Sequence, residues 1–71
     1  MIHRAEWDAR TQEYELRHDS GERWFYNPRR DRWTDQDNWE VIEPGYDMRI
    51  RLNNGPDHGR IVEFLTIYPY P

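Results

Sequence analysis

The sequence predicts an all-β protein, a small antiparallel meander of about six short strands closed as a barrel or folded as a sandwich. Three observations favour this class. Apolar and polar residues alternate in several short segments, and turn-forming residues separate those segments. Eleven aromatic residues (four Trp, five Tyr and two Phe) also replace many aliphatic residues of an ordinary core, because Val, Ile, Leu and Phe together number only 12. With 71 residues, the chain predicts a single domain over residues 1–71.

The clearest strand covers residues 47–52, where Met48, Ile50 and Leu52 alternate with charged residues. This period of two places the apolar side chains on one buried face and the charged ones in water. Shorter or less regular segments of the same kind predict strands at residues 13–18, 23–27, 32–34, 39–43 and 60–68.

The predicted core combines aliphatic residues of the later strands with aromatic residues of the earlier ones. The core positions from residue 39 onward are predicted to be Trp39, Met48, Ile50, Leu52, Val62 and Phe64. In the first half of the chain, we expect Tyr14 and Leu16 to face inward. Trp24 and Tyr26 should share one face of their strand, with Phe25 on the other.

The two ends of the chain carry weaker patterns. Residues 1–12 suit either a short helix or a strand, and we favour strand or coil because the segment is too short to form a helix alone. Residues 69–71 form a proline-containing tail. The sequence contains no cysteine, no signal-peptide pattern and no apolar run long enough for a membrane span, so we expect a cytoplasmic protein without disulfide bonds or membrane contact.

Charge is distributed unevenly along the chain. All ten basic residues are arginine, and the formal net charge is -4. Residues 35–47 hold five acidic residues and no basic one. A nucleic-acid-binding domain would present a continuous basic face, so direct contact with nucleic acid is not expected.

One aromatic segment resembles a known family. Gly21-Glu22-Arg23-Trp24-Phe25-Tyr26-Asn27 followed by Trp33 is similar to the middle of a WW domain, a three-stranded meander that grips proline-rich peptides with its second Trp. Trp33 follows Asn27 by six residues instead of the eight typical of that family. The shorter hairpin would rotate Trp33 off the binding face, and we interpret the likeness as a general feature of aromatic hairpins.

Residues that could support catalysis are present, but they are not arranged for it. His3, His18 and His58 lack the close spacing of common metal ligands. A pair of acids such as Asp35 and Asp37 needs a concave, desolvated pocket, which so short a chain hardly provides. We therefore expect no enzymatic activity, no cofactor and no metal.

The remaining interpretation is a small protein-interaction module. A sharper version is a phage-type inhibitor whose acidic loop occupies a basic groove of another protein. The predicted partner-binding residues lie in the acidic segment and in the preceding hairpin: Asp35, Asp37, Glu40, Glu43, Asp47, Arg29, Arg30 and Trp33.

Two other functional classes remain open. A carbohydrate-binding module would use Trp24, Trp33 or Trp39 as a stacking platform. A small hydrolase or toxin would rely on His18, His58 and nearby charged residues.

Low aliphatic content also bears on assembly. A chain this short obtains limited stability from one core, and residues 61–68 are apolar on both faces. We therefore expect a homodimer or a larger oligomer.

Overall fold

The computed structural model describes residues 2–17, 21–41 and 48–64, without the side chains of Met48 and Phe64. These residues form one six-stranded sheet that curls into a half-barrel. The strands are β1 (Ile2–Asp8), β2 (Glu13–Arg17), β3 (Arg23–Asn27), β4 (Arg32–Thr34), β5 (Met48–Asn53) and β6 (Ile61–Phe64).

The strand order across the sheet is β4-β3-β2-β1-β5-β6. The first four strands form an antiparallel meander, whereas β5 runs parallel to β1 and antiparallel to β6. The all-β prediction is confirmed, but the sheet is mixed and not wholly antiparallel. The physical reason is that the parallel neighbours β1 and β5 are separated by residues 9–47, well over the dozen or so residues that a parallel connection requires.

The core occupies the inner face of the curled sheet. Its buried residues come from every strand and from the segment after β4: Ala5, Tyr14, Leu16, Trp24, Tyr26, Trp33, Val41, Ile50, Leu52 and Val62. The predictions for Tyr14, Leu16, Ile50, Leu52 and Val62 are confirmed, as is the shared inward face of Trp24 and Tyr26.

Aromatic side chains on this inner face lie side by side across four strands. Trp7 pairs with Tyr14, Tyr14 with Tyr26, and Tyr26 with Trp33. Their ring centroids are 4.9, 6.4 and 4.8 Å apart in that order. Since each aromatic side chain buries about 150–250 Å², this series supplies the apolar area that the scarce aliphatic residues cannot.

Residues 39–43 differ from the prediction. Trp39 is 57% exposed and does not belong to the core. In place of a strand, this segment contributes an isolated β-bridge between Glu40 and Thr34, and residues 42 and 43 lie outside the described residues. The predicted core side chains of Met48 and Phe64 also lie outside that description.

The N-terminal segment is a strand. β1 lies between β2 and β5, and its Ala5 is fully buried. Neighbours on both sides supply the backbone hydrogen bonds that the segment could not obtain alone. The weak preference for strand or coil over helix at residues 2–8 therefore agrees with the fold.

Candidate protein-binding loop

The segment after β4 is a loop held by one carboxylate. Asp35 Oδ1 accepts hydrogen bonds from the backbone amides of Asp37, at 2.8 Å, and Trp39, at 2.9 Å. The Asp35 amide in turn donates to the carbonyl oxygen of Trp39 at 2.9 Å, and the Asn38 amide donates to that of Asp35 at 3.1 Å. Asn38 has a φ of 67°, which asparagine tolerates better than most residues. We call residues 35–41 the Trp39 loop.

The far end of the Trp39 loop is fixed in the core. Val41 is 2% exposed, and its amide donates to the carbonyl oxygen of Trp33 at 3.2 Å. The indole of Trp39 instead stands in solvent, with exposed Asp37 and Glu40 on either side of it in the chain. The loop therefore presents a large aromatic ring and two carboxylates from a base that is anchored at both ends.

The predicted acidic residues divide into three groups. Asp37 and Glu40 are exposed and available to a partner. Asp35 is half-buried and shapes the Trp39 loop through its carboxylate, so its local role is structural. Glu43 and Asp47 lie outside the described residues.

The predicted basic and aromatic residues lie in and after the turn between β3 and β4. Arg29 and Arg30 are exposed, and their amides donate to Asn27 Oδ1 at 3.0 and 3.3 Å. Trp33 is 8% exposed and packs against Tyr26 on the inner face. Its ring is therefore part of the core and does not form an outer contact surface.

The sequence pattern does not reveal the exposed position of Trp39, because the alternation of Trp39 and Val41 predicts a strand. The turn-forming residues Asp35, Asp37 and Asn38 directly before Trp39 carry the opposite signal. Asp and Asn side chains bond to nearby amides and hold the chain in a loop. That pattern could have placed Trp39 at the end of a turn.

The described tryptophans also limit the carbohydrate-binding alternative. Trp24 and Trp33 are 5% and 8% exposed and cannot offer a ring face to a sugar. Trp7 is half-buried against Tyr14. Trp39 is thus the one tryptophan of the described residues that is largely exposed.

Polar side chains elsewhere serve the fold. His58 Nδ1 accepts a hydrogen bond from the Asn54 amide at 2.8 Å, and His18 lies outside the described residues. Tyr14 Oη accepts from the Asp57 amide at 2.9 Å, which ties the loop between β5 and β6 to the aromatic series. Within the described part of the chain, no three His, Asp or Glu side chains are grouped as metal ligands.

Comparisons with known proteins do not extend the assignment: no family model matches the chain, and neither does any curated protein or solved structure. The described ranges contain no helix with the length and apolar character needed to cross a membrane.

Proposed function

We propose that this protein is a non-catalytic interaction module that binds another protein through the Trp39 loop. The observation that carries the proposal is the 57% exposure of Trp39 on a loop that Asp35 and Val41 hold in place. Trp is the residue type most enriched among those that dominate binding energy at protein interfaces.

The construction of the loop supports this role. Binding costs free energy when a loop must be ordered, and a loop ordered beforehand avoids much of that cost. Four hydrogen bonds already close the turn over residues 35–39 in the free chain. A partner that covers the indole therefore gains apolar burial without fixing a flexible segment.

Charge indicates the chemistry of the partner. Asp37 and Glu40 are exposed on either side of Trp39 in the chain, and the segment of residues 35–47 carries no basic residue. Opposite charge on the partner would raise the association rate and select against acidic surfaces. A basic groove with an apolar pocket for the indole fits best, and occupation of a groove that the partner needs for its own ligand would make the protein an inhibitor.

The test compares capture of proteins from the native cell by purified wild type and three variants. Trp39→Ala removes the anchor, and Asp37→Asn combined with Glu40→Gln removes two charges while Asp35 keeps the turn. The matched control combines Arg29→Ala with Arg30→Ala in the neighbouring turn. We expect Trp39→Ala to weaken binding of the captured protein by at least about 2 kcal/mol, and the acid variant to weaken it with a smaller salt dependence.

The control should bind like wild type, with all variants melting at similar temperatures. Binding that survives Trp39→Ala but is lost in the arginine variant would move the site to the turn between β3 and β4. Titration with oligosaccharides tests the carbohydrate-binding alternative. That alternative would be favoured if oligosaccharides shift the fluorescence of Trp39 and the captured protein does not.

A further inference from the structure

The outer face of the sheet collects arginines that are far apart in the sequence. On this face Arg17 lies opposite Arg23 across β2 and β3, and Arg4 lies beside Arg51 across β1 and β5. The pairing of β1 with β2 ends at Glu6 and Glu15. Continued by two residues, its register brings Arg4 toward Arg17, and both residues line the same depression. We call this series across β3, β2, β1 and β5 the arginine row: Arg23, Arg17, Arg4 and Arg51.

A second series of outward side chains lies two residues further along the same strands. Glu6 and Glu15 are directly opposite each other at the centre of this series. Next to Glu15, on the neighbouring strand β3, lies Phe25, and next to Glu6, on the neighbouring strand β5, lies Asn53. We call this series the glutamate row: Phe25, Glu15, Glu6 and Asn53.

Like charges directly opposite each other destabilise a sheet, and both rows contain such pairs. Contacts within the chain relieve this repulsion in part. Glu15 Oε1 lies 2.9 Å from Arg17 Nε and 3.9 Å from Arg23 Nε. Arg4 and Arg51, both exposed, form no ion pair with any other described residue.

We propose that the outer face binds a second copy of this chain in a two-fold dimer. The two-fold axis would run across the strands between the two rows. Rotation about it places each arginine row over the glutamate row of the other copy. Arg4 then lies opposite the partner's Glu6, and Arg17 lies opposite the partner's Glu15.

The ends of the rows also match under this rotation. Arg23 lies opposite the partner's Phe25, a cation–π contact. Arg51 lies opposite the partner's Asn53, whose amide oxygen can accept a hydrogen bond. A surface that carries both halves of each contact is what a two-fold interface requires.

Because the sheet is curved, the charged pairs lie at the part of the outer face that two copies would touch first. The core fills the inner face, so the outer face is convex, and β1 and β2 are central in the strand order. Arg4, Glu6, Glu15 and Arg17 are among the residues that line a shallow depression over β1 and β2. Ile2 and Ile61 are 52% and 46% exposed and lie on the same face, which adds apolar area.

A second copy fits this face better than a polyanion does. A nucleic acid that followed the arginine row would meet Glu6 and Glu15 two residues away on the same strands. A second copy uses both signs of charge at once. The proposal concerns a different surface from the Trp39 loop, so each can fail without the other.

The test exchanges the charges of the rows. One variant combines Arg4→Glu with Arg17→Glu, and the other combines Glu6→Arg with Glu15→Arg. We expect wild type to sediment at twice the 8.9 kDa of the chain at high micromolar concentration and low salt, and each variant to sediment as a monomer. An equimolar mixture of the two variants should restore the dimer, because each contact between exchanged positions then joins opposite charges again.

Arg29→Glu combined with Arg30→Glu is the matched control, with the same change of charge in an exposed turn, and should remain a dimer. Near-ultraviolet circular dichroism checks that each variant is folded. If a charge-exchange variant fails to fold, Arg4→Gln with Arg17→Gln replaces it. This variant should raise the dimer Kd at least about tenfold, because it removes two ion pairs from each half of the interface, whereas Trp39→Ala should leave the Kd unchanged.

A wild-type monomer under these conditions overturns the proposal. So does a dimer that both folded variants retain, or a folded mixture that does not associate. The wild-type protein could instead be a monomer that binds a labelled single-stranded oligonucleotide. If the variant with Arg4→Glu and Arg17→Glu no longer binds that oligonucleotide, the arginine row is a polyanion site, and this result also overturns the dimer.

Discussion

Tyr26 joins three parts of the chain through its hydroxyl group. Tyr26 Oη donates to Asp31 Oδ1 at 2.5 Å and accepts from Arg60 Nη2 at 3.4 Å. Burial, followed by the hydrogen bond to the Asp31 carboxylate, raises the pKa of Tyr26 from 10.0 to about 12. The protonated phenol is therefore the form that the fold stabilises.

Tyr26→Phe is expected to lower the free energy of unfolding by about 1 kcal/mol at neutral pH, because it removes the hydrogen bonds of the phenol with Asp31 and Arg60. A raised pKa in the folded state means that the contribution of the phenol is complete below pH 10 and is lost as the pH rises through about 12. The difference in the free energy of unfolding between wild type and Tyr26→Phe should thus shrink between pH 10 and about pH 12. Urea denaturation at a series of pH values measures it. A difference that stays constant up to pH 12 would contradict this assignment.

Gly55 is a second residue whose environment leads to a prediction. It has a φ of 113°, and a Cβ there would lie 2.7 Å from ring atoms of Trp7 and 2.9 Å from Tyr14 Oη. Gly55→Ala is expected to cost about 2–5 kcal/mol through backbone strain and overpacking together. Gly21 is the control, because its φ is 93° but a Cβ would meet no atom within 4 Å.

Gly21→Ala should therefore cost only the backbone strain, about 1–2 kcal/mol. Thermal and urea unfolding of the two variants measure the difference. Equal losses would show that Gly55 does not pack against Trp7 as described.

Among the elements, β5 connects the parallel and antiparallel parts of the sheet. Ile50 on β5 is fully buried, next to His3 of β1 and Val62 of β6. Ile50→Ala should lower the free energy of unfolding by about 2–5 kcal/mol, since it leaves a cavity in the core. Arg49→Ala changes an exposed residue of the same strand and should alter the free energy of unfolding by no more than about 0.5 kcal/mol. A similar small effect for both variants would place Ile50 outside the core.

The elements that the sequence predicts best are those whose pattern is local. Residues 23–27 and 32–34 form strands with the predicted bounds. The alternation in residues 47–52 predicts the bounds of β5 to within one residue at each end, and it identifies the buried Ile50 and Leu52. Local alternation reports which side of a strand is buried, and turn residues report where it ends.

Long-range pairing is what the sequence does not specify. β1 is recognisable as a strand only because β2 and β5 flank it, and nothing in residues 2–8 indicates a parallel neighbour. The outward arginines of four strands are visible as single residues, but only the register aligns them. For the same reason, the exposure of Trp39 depends on the hydrogen bonds of Asp35 and not on the alternation around it.

At the scale of the whole molecule, the structure separates a core, a loop and an outer face. The inner face buries the aromatic series, the Trp39 loop presents one exposed tryptophan with acidic residues on either side of it in the chain, and the outer face carries rows of opposite charge. A small chain can combine these because its stability rests on aromatic packing across strands, which leaves loop and outer residues free for contact with other proteins.

Hydrogen–deuterium exchange of the protein, free and bound to its captured partner, tests whether the Trp39 loop is the binding site. Backbone amides that a partner covers exchange more slowly. We expect the largest added protection at residues 36–40 of the Trp39 loop, and little change in the turn of residues 28–31. Protection confined to that turn, or to the outer face of β1 and β2, with the Trp39 loop unchanged, would contradict the assignment of the loop as the binding site.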